Sequence, residues 1–237
     1  MNTSRKTARL VGVIYMIGIL SGLIRYFLLT PILEAPDYLV QVSANEHRVI
    51  IGTLFFFMNA FMIAGVAVVM YPILRKYNEA LSVGFVAARL AEGILILIAT
   101  LAILMLLTLS LEFVETGAPD TPYYQTTGDL LLALHDWAYD VWWAIIISLS
   151  SMMFFCLLYQ SMLVPRWLSV WGLVGAIMFP LGSVSLFGSP NPVFVLPLVV
   201  SEWTLIVWLI VKGFNQSAIA PEPAQPDTNE TRPAHLE

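Results

Sequence analysis

Three charged residues, Arg89, Glu92 and Glu202, stand inside stretches built almost wholly from apolar side chains. A charge at mid-bilayer costs roughly 2.5–3.5 kcal/mol on insertion scales, so each needs a partner or a task. Arg89 and Glu92 are three apart and share one helix face. Counted at about 1.5 Å per residue from the basic ends of their stretches, Arg89 and Glu202 both come to roughly 12–15 Å depth, with Glu92 about one turn further. If those two stretches touch, an arginine–carboxylate pair forms near the membrane centre, bidentate where geometry allows. Asn59 lies at a similar depth on the second stretch, and Tyr15 in the inner half of the first. Two readings stay open. In one, the charges are a clasp that fixes the register of two helices. In the other, they bind a polar head group, a proton or an anion, because two carboxylates and one arginine leave an acid unpaired.

A second group gathers near the opposite ends of the stretches. His135, Asp136 and Asp140 open the fourth, with the two aspartates one turn apart on one face; Arg25, His47, Arg48 and Glu112 reach a similar level. Histidine with carboxylates is a donor set for a divalent metal. No two histidines stand at i, i+4, however, and the spacing matches no zinc signature, so no metal is expected. Helix N-capping by Asp136 and interfacial salt bridges to Arg25 or Arg48 are the expected roles.

Six apolar stretches must position these groups: Leu10–Ile32, Val49–Leu74, Leu81–Leu111, Trp137–Leu163, Leu168–Leu186 and Val193–Lys212. A hydrocarbon core about 30 Å thick takes about 20 apolar residues as helix. No water satisfies backbone groups at that depth, so each stretch is expected to be an α-helix. The composition agrees: 59% of the 237 residues are hydrophobic and 11% charged, with mean hydropathy +0.81. That leaves no room for a second globular domain. Net charge is −5 and no loop carries more than three Lys or Arg, so nothing resembles a nucleic-acid-binding face. Cys156, the only cysteine, falls inside the fourth stretch and is expected to pack in the core.

Charge asymmetry sets the expected orientation. Arg5, Lys6, Arg9, Arg75, Lys76, Arg166 and Lys212 flank one set of ends. Glu34, Asp37, Glu46, Glu112, Glu115, Asp120 and Asp129 crowd the other, interrupted by His47 and Arg48. The positive-inside rule then puts both termini in the cytoplasm. The first stretch is too long for a signal h-region and lacks a small-x-small cleavage site, so it is read as retained. The two sizeable connections, Leu33–Arg48 and Glu112–Asp136, are both external by this rule and are expected to form an ordered cap. The second holds Gly-Ala-Pro-Asp and Thr-Pro-Tyr-Tyr, signals for turns and an amphipathic interfacial piece. Tyr123, Tyr124, Trp137, Trp142 and Trp143 fit an outer aromatic belt, and Trp167 with Trp171 an inner one. Residues 215–237 are Pro-rich and polar, the composition of a disordered tail.

Gly18-x-x-x-Gly22, Gly84/Ala88 and Gly172/Ala176 are small-x-x-x-small patterns, expected to serve packing inside the bundle. Pro180 and Pro197 are expected to kink the fifth and sixth helices and free backbone carbonyls. Walker A, Gly-x-Ser-x-Gly, His-Glu-x-x-His and Gly-rich dinucleotide motifs are all missing. No cofactor is implied.

The run Tyr159-Gln-Ser-Met-Leu-Val-Pro-Arg-Trp-Leu-Ser-Val-Trp-Gly-Leu-Val-Gly-Ala176 resembles the signature of the domain-of-unknown-function 4386 (DUF4386) family of bacterial multi-pass membrane proteins. Ala8-Arg9-Leu-Val-Gly12, Tyr71-Pro-Ile-Leu-Arg75 with Asn78-Glu79, Arg89-x-x-Glu92, Asp136-Trp137, and Glu202 with Trp-Leu-Ile-Val-Lys-Gly-Phe214 fit it in order. The resemblance covers nearly the whole chain except the tail. It implies a multi-pass bacterial membrane protein and no catalytic residue, because the family supplies none.

The expected architecture is therefore an all-α bundle of six membrane helices in the bacterial inner membrane. The expected activity is binding, as a partner subunit or a sensor of a lipid-like ligand, with membrane lipids around it and a protein partner or second copy as further company. A carrier using Arg89, Glu92, Glu202 and Asn59 is the first alternative. An intramembrane enzyme acting on a lipid or isoprenoid through His135, Asp136 and Asp140 is the second.

Overall fold

The computed structural model describes residues 3–119, 121–183 and 191–219, and every regular element among them is helical. The helices are α1 (Thr3–Leu33), α2 (Tyr38–Ala44), α3 (Glu46–Leu74), α4 (Glu79–Glu115), α5 (Pro122–Asp136), α6 (Ala144–Ser161), α7 (Arg166–Ser183), α8 (Pro192–Val211) and α9 (Gln216–Ile219), with a π-helical turn at Trp137–Trp143 joining α5 to α6. Helix starts are marked by side chains that cap free backbone N–H groups. Asn78 accepts from the Leu81 N–H at 3.0 Å and Asn191 from the Val193 N–H at 3.0 Å. The turn from α6 to α7 runs through Met162, held left-handed at φ 52°, to Pro165, which cannot prolong a helix.

Five helices are long and apolar enough to cross a bilayer: α1, α3, α4, the continuous rod from α5 through α6, and α8. The fifth expected stretch corresponds to α7, which is shorter; residues 184–186 of that stretch lie outside the described residues, as do Asp120 and tail residues 220–237. The described start of the tail holds the short helix α9. α1 packs on α3, α3 on α4, α4 on α6, α6 on α7, α7 on α8, and α8 returns to α1. The result is a closed ring of six helices. α4 and α8 are thus not packing neighbours, and their charges meet only across the ring's interior.

Two apolar clusters hold the ring. One joins α1, α3, α6, α7 and α8 and includes Phe85 of α4 stacked on Phe154 of α6, with ring centroids 4.8 Å apart. The other lies between α3 and α4 and reaches α2 and α5 through Phe56, Ile96, Ile103 and Tyr38. The two long connections form a shared cap at one end: the Tyr38 hydroxyl of α2 donates to Asp129 Oδ1 of α5 at 2.7 Å. Burial and that carboxylate together raise the Tyr38 pKa, since a phenolate would lose both the bond and its hydration. Large apolar side chains such as Phe27, Leu54, Leu101 and Val207 cover the outside of the ring. An aqueous surface would not tolerate so many; a lipid one asks for them.

Each small-x-x-x-small pattern is spent inside the chain. Gly18 and Gly22 of α1 face Met62 and Asn59 of α3, Gly84 faces Met153, and Gly172 faces Phe155. Three local expectations are corrected. Tyr124 is buried and Trp143 turns inward, so neither belongs to an outer belt, whereas Tyr123, Trp137 and Trp142 are exposed. Cys156 is only partly buried and is not a core residue. Asp136 caps nothing, because α5 runs into the π-turn and places it mid-helix with helical φ and ψ and no capping hydrogen bond.

Candidate functional site

The expected intramembrane cluster assembles at the centre of the ring. On α4, one turn of helix brings Arg89 Nη1 to Glu92 Oε2 at 3.0 Å and to Oε1 at 3.3 Å. From the opposite wall, Glu202 of α8 places Oε1 3.9 Å from Arg89 Nη2. Tyr15 of α1 bridges them: its hydroxyl accepts from Arg89 Nη2 at 3.2 Å and donates to Glu202 Oε1 at 2.6 Å. α6 adds two hydroxyls, Ser150 donating to Glu92 Oε2 at 3.2 Å and Ser151 to Glu202 Oε1 at 3.3 Å. Arg89 is 1% exposed, Glu92 0% and Glu202 7%. The guanidinium also lies 5.6 Å from the Tyr15 ring and 5.7 Å from the Phe85 ring, within cation–π range. Four helices therefore share one network, in which Glu92 holds the closer arginine contacts and Glu202 is served mainly by hydroxyls.

This network is not sealed between packed helices. Arg89, Glu92, Tyr15 and Glu202 form one wall of a cavity of about 280 Å³. The other walls are mainly apolar and aromatic: Tyr26, Tyr139, Trp143, Phe179 and Trp203 among them. Its size is near the lower end of ligand pockets, about 300 Å³. Asn59, singled out from the sequence, also lines it, with its Nδ2 donating to the Gly18 carbonyl at 2.7 Å. The serines escaped sequence reading, because a serine in an apolar helix commonly bonds its own preceding turn. Ser150 shares its single proton with such a bond, the Ile147 carbonyl lying 3.1 Å from its Oγ.

The second expected group forms a separate pocket of about 260 Å³ toward the capped end, lined by Arg25, His135, Asp136 and Asp140 and joined by Glu34. Arg25 is buried, its guanidinium stacked between the rings of Phe56 at 4.4 Å and Tyr139 at 4.6 Å. Its Nη2 meets His135 Nε2. A guanidinium only donates, so Nε2 is the acceptor, and Nδ1 carries the proton it gives to Asp136 Oδ1 at 2.9 Å. Among the described residues Arg25 and Arg48 make no salt bridge to these aspartates, contrary to expectation. Arg48 donates instead to the Phe27 carbonyl at 2.9 Å. Glu112 accepts from Tyr124 at 3.4 Å, and neither it, Arg48 nor His47 lines this pocket. No three His, Cys, Asp or Glu side chains among the described residues come together as a metal-binding group.

Tyr26 and Tyr139 belong to the walls of both cavities. Tyr139 and Trp143 sit in the π-turn, a local over-wide winding, and line the inner cavity, whereas Asp140 of the same turn stays exposed at the outer pocket. No curated protein and no solved structure matches the chain. A family model described as "Domain of unknown function (DUF4386)" matches residues 10–213, the whole ring with its charged network, and the chain belongs to that family.

Proposed function

We propose that this protein acts in the bacterial cell membrane by binding a lipid-like ligand in the cavity at the centre of its helix ring. One observation carries the reading. The charged network is a cavity wall, whereas a clasp would need only helix-to-helix contact. Apolar and aromatic walls suit a hydrocarbon portion, and the network of Arg89, Tyr15 and Glu202 suits a polar end. The proposal includes six crossings with both termini cytoplasmic. The basic residues flanking the uncapped end support this orientation, and the 18 residues of α7 reach about 27 Å as helix, close to the hydrocarbon thickness of about 30 Å.

Native mass spectrometry of the protein released from its own lipids tests the reading. A bound species at fixed stoichiometry is expected, and Glu202→Gln is expected to remove it. A bare monomer, or a defined oligomer indifferent to that substitution, would leave the charges as a clasp and point to protein partners.

A carrier is favoured by one further observation, the shared tyrosine wall, which sets the outer pocket in line with the inner cavity. In a Cys156→Ser background, Trp203→Cys would then be labelled by impermeant reagents from both membrane faces. Labelling from neither face would sink the carrier.

A further inference from the structure

We propose that the inner cavity selects a lipophilic monocation, an alkylammonium, whose charged end is held by Glu202; this rests on the cavity being a ligand site. Glu92 is 0% exposed and takes Arg89 and Ser150 on its oxygens. Glu202 Oε1 takes Tyr15 and Ser151. Glu202 Oε2 accepts no hydrogen bond from any described residue, although the side chain is nine-tenths buried and lines the cavity. Arg89 cannot serve both acids equally, lying 3.0 Å from Glu92 and 3.9 Å from Glu202.

The cluster thus holds one cation against two carboxylates, and among the described residues no lysine or second arginine lines the cavity. Two donors at this wall, Arg89 Nε and Trp143 Nε1, also lack partners, but their own atoms are covered. Of the two carboxylates at the wall, Glu202 is the one with an oxygen that no described donor reaches. An ammonium placed on Oε2 donates where nothing else does and balances the surplus charge. Tyr26, Trp143 and Trp203 line the same space and bring aromatic surface to a cation and apolar area to its chain. A fatty acid of the same chain would bring a third carboxylate to a site with one guanidinium. A neutral alcohol would gain the chain contacts without the charge.

Decylamine, decanol and decanoate separate these cases. Each is titrated at neutral pH into the protein in phosphatidylcholine nanodiscs, with tryptophan fluorescence as readout, since Trp143 and Trp203 line the cavity. Protein-free nanodiscs correct for partition. Decylamine is expected to saturate at a concentration roughly tenfold or more below the other two. Glu202→Gln is expected to abolish that preference, and Glu202→Asp, which keeps the charge, to retain it. Decanol or decanoate binding the wild-type protein as tightly as the amine would overturn the cation assignment and leave the ligand site standing. An amine preference that survives in a folded Glu202→Gln protein would also overturn it. Saturation by none of the three would overturn both readings. The wild-type comparison decides the matter even if the glutamine variant does not fold.

Discussion

Arg89→Ala is expected to lower the stability of the helix ring by about 3–5 kcal/mol, the cost of breaking a buried ion pair from one side. The loss does not come from a strong pair. It comes from Glu92, 0% exposed, left with Ser150 as its only remaining partner, and from Tyr15 and Glu202 losing the cation that offsets their burial. Second substitutions show which acid the arginine serves. Arg89→Met with Glu92→Leu removes the guanidinium and the carboxylate it touches at 3.0 Å, leaving Glu202 with Tyr15 and Ser151. Arg89→Met with Glu202→Leu strands Glu92 in a fully buried position. The first double variant should therefore melt above Arg89→Ala, and the second should not. Reversal of that order in thermal unfolding in nanodiscs would falsify the assignment of Arg89 to Glu92.

Gly175→Ala should be the most damaging single methyl in the ring. A Cβ at Gly175 of α7 would stand 2.5 Å from the Leu198 nitrogen and 2.6 Å from Leu198 Cα of α8. Those are backbone atoms and cannot rotate aside as a side chain would. The two helices must separate, at a cost of about 1–3 kcal/mol for ordinary overpacking. Leucine at the same position should prevent assembly. Leu198 and Phe179, which flank this contact, also line the cavity, so ligand binding should weaken with stability. Gly65→Ala is the matched control: its added methyl meets only Ile14 Cγ2 at 3.6 Å, an ordinary contact, and it trades a flexible residue for a helix former. Equal melting shifts for the two alanines would show that α7 and α8 do not approach as closely as described.

Much of this arrangement is legible in the chain because lipid allows few alternatives. A backbone denied water must be helical, so length and hydropathy alone locate α1, α3, α4, α6 and α8. Residues three apart must share a helix face, so the Arg89–Glu92 contact follows from spacing. A fixed rise per residue sets depth, so Arg89 and Glu202 are matched in level before any packing is known. The capping asparagines Asn78 and Asn191 lie just before the expected starts at Leu81 and Val193, and their capping was found only in the structure.

Tertiary structure decides what none of these local rules contain. That α4 and α8 stand across a ring, with Arg89 and Glu202 meeting at 3.9 Å and bridged by Tyr15, depends on the order in which the helices close. That the network faces a cavity depends on bulk left unfilled among α1, α7, α8 and the π-turn. The π-turn itself carries no sequence mark, since an i→i+5 bond is selected by packing; it moved Asp136 from cap to mid-helix and Tyr139 and Trp143 to the interior. Arg25 shows the same division. Its charge suggested salt bridges to nearby acids, but two aromatic rings from α3 and the π-turn enclose it, and His135 takes its donor. Local sequence determines the helices and the depth of each charge, because those depend on the solvent and the helical repeat. Only the closed ring decides which charges meet and which face empty space, because that depends on the shapes of side chains far apart in the chain.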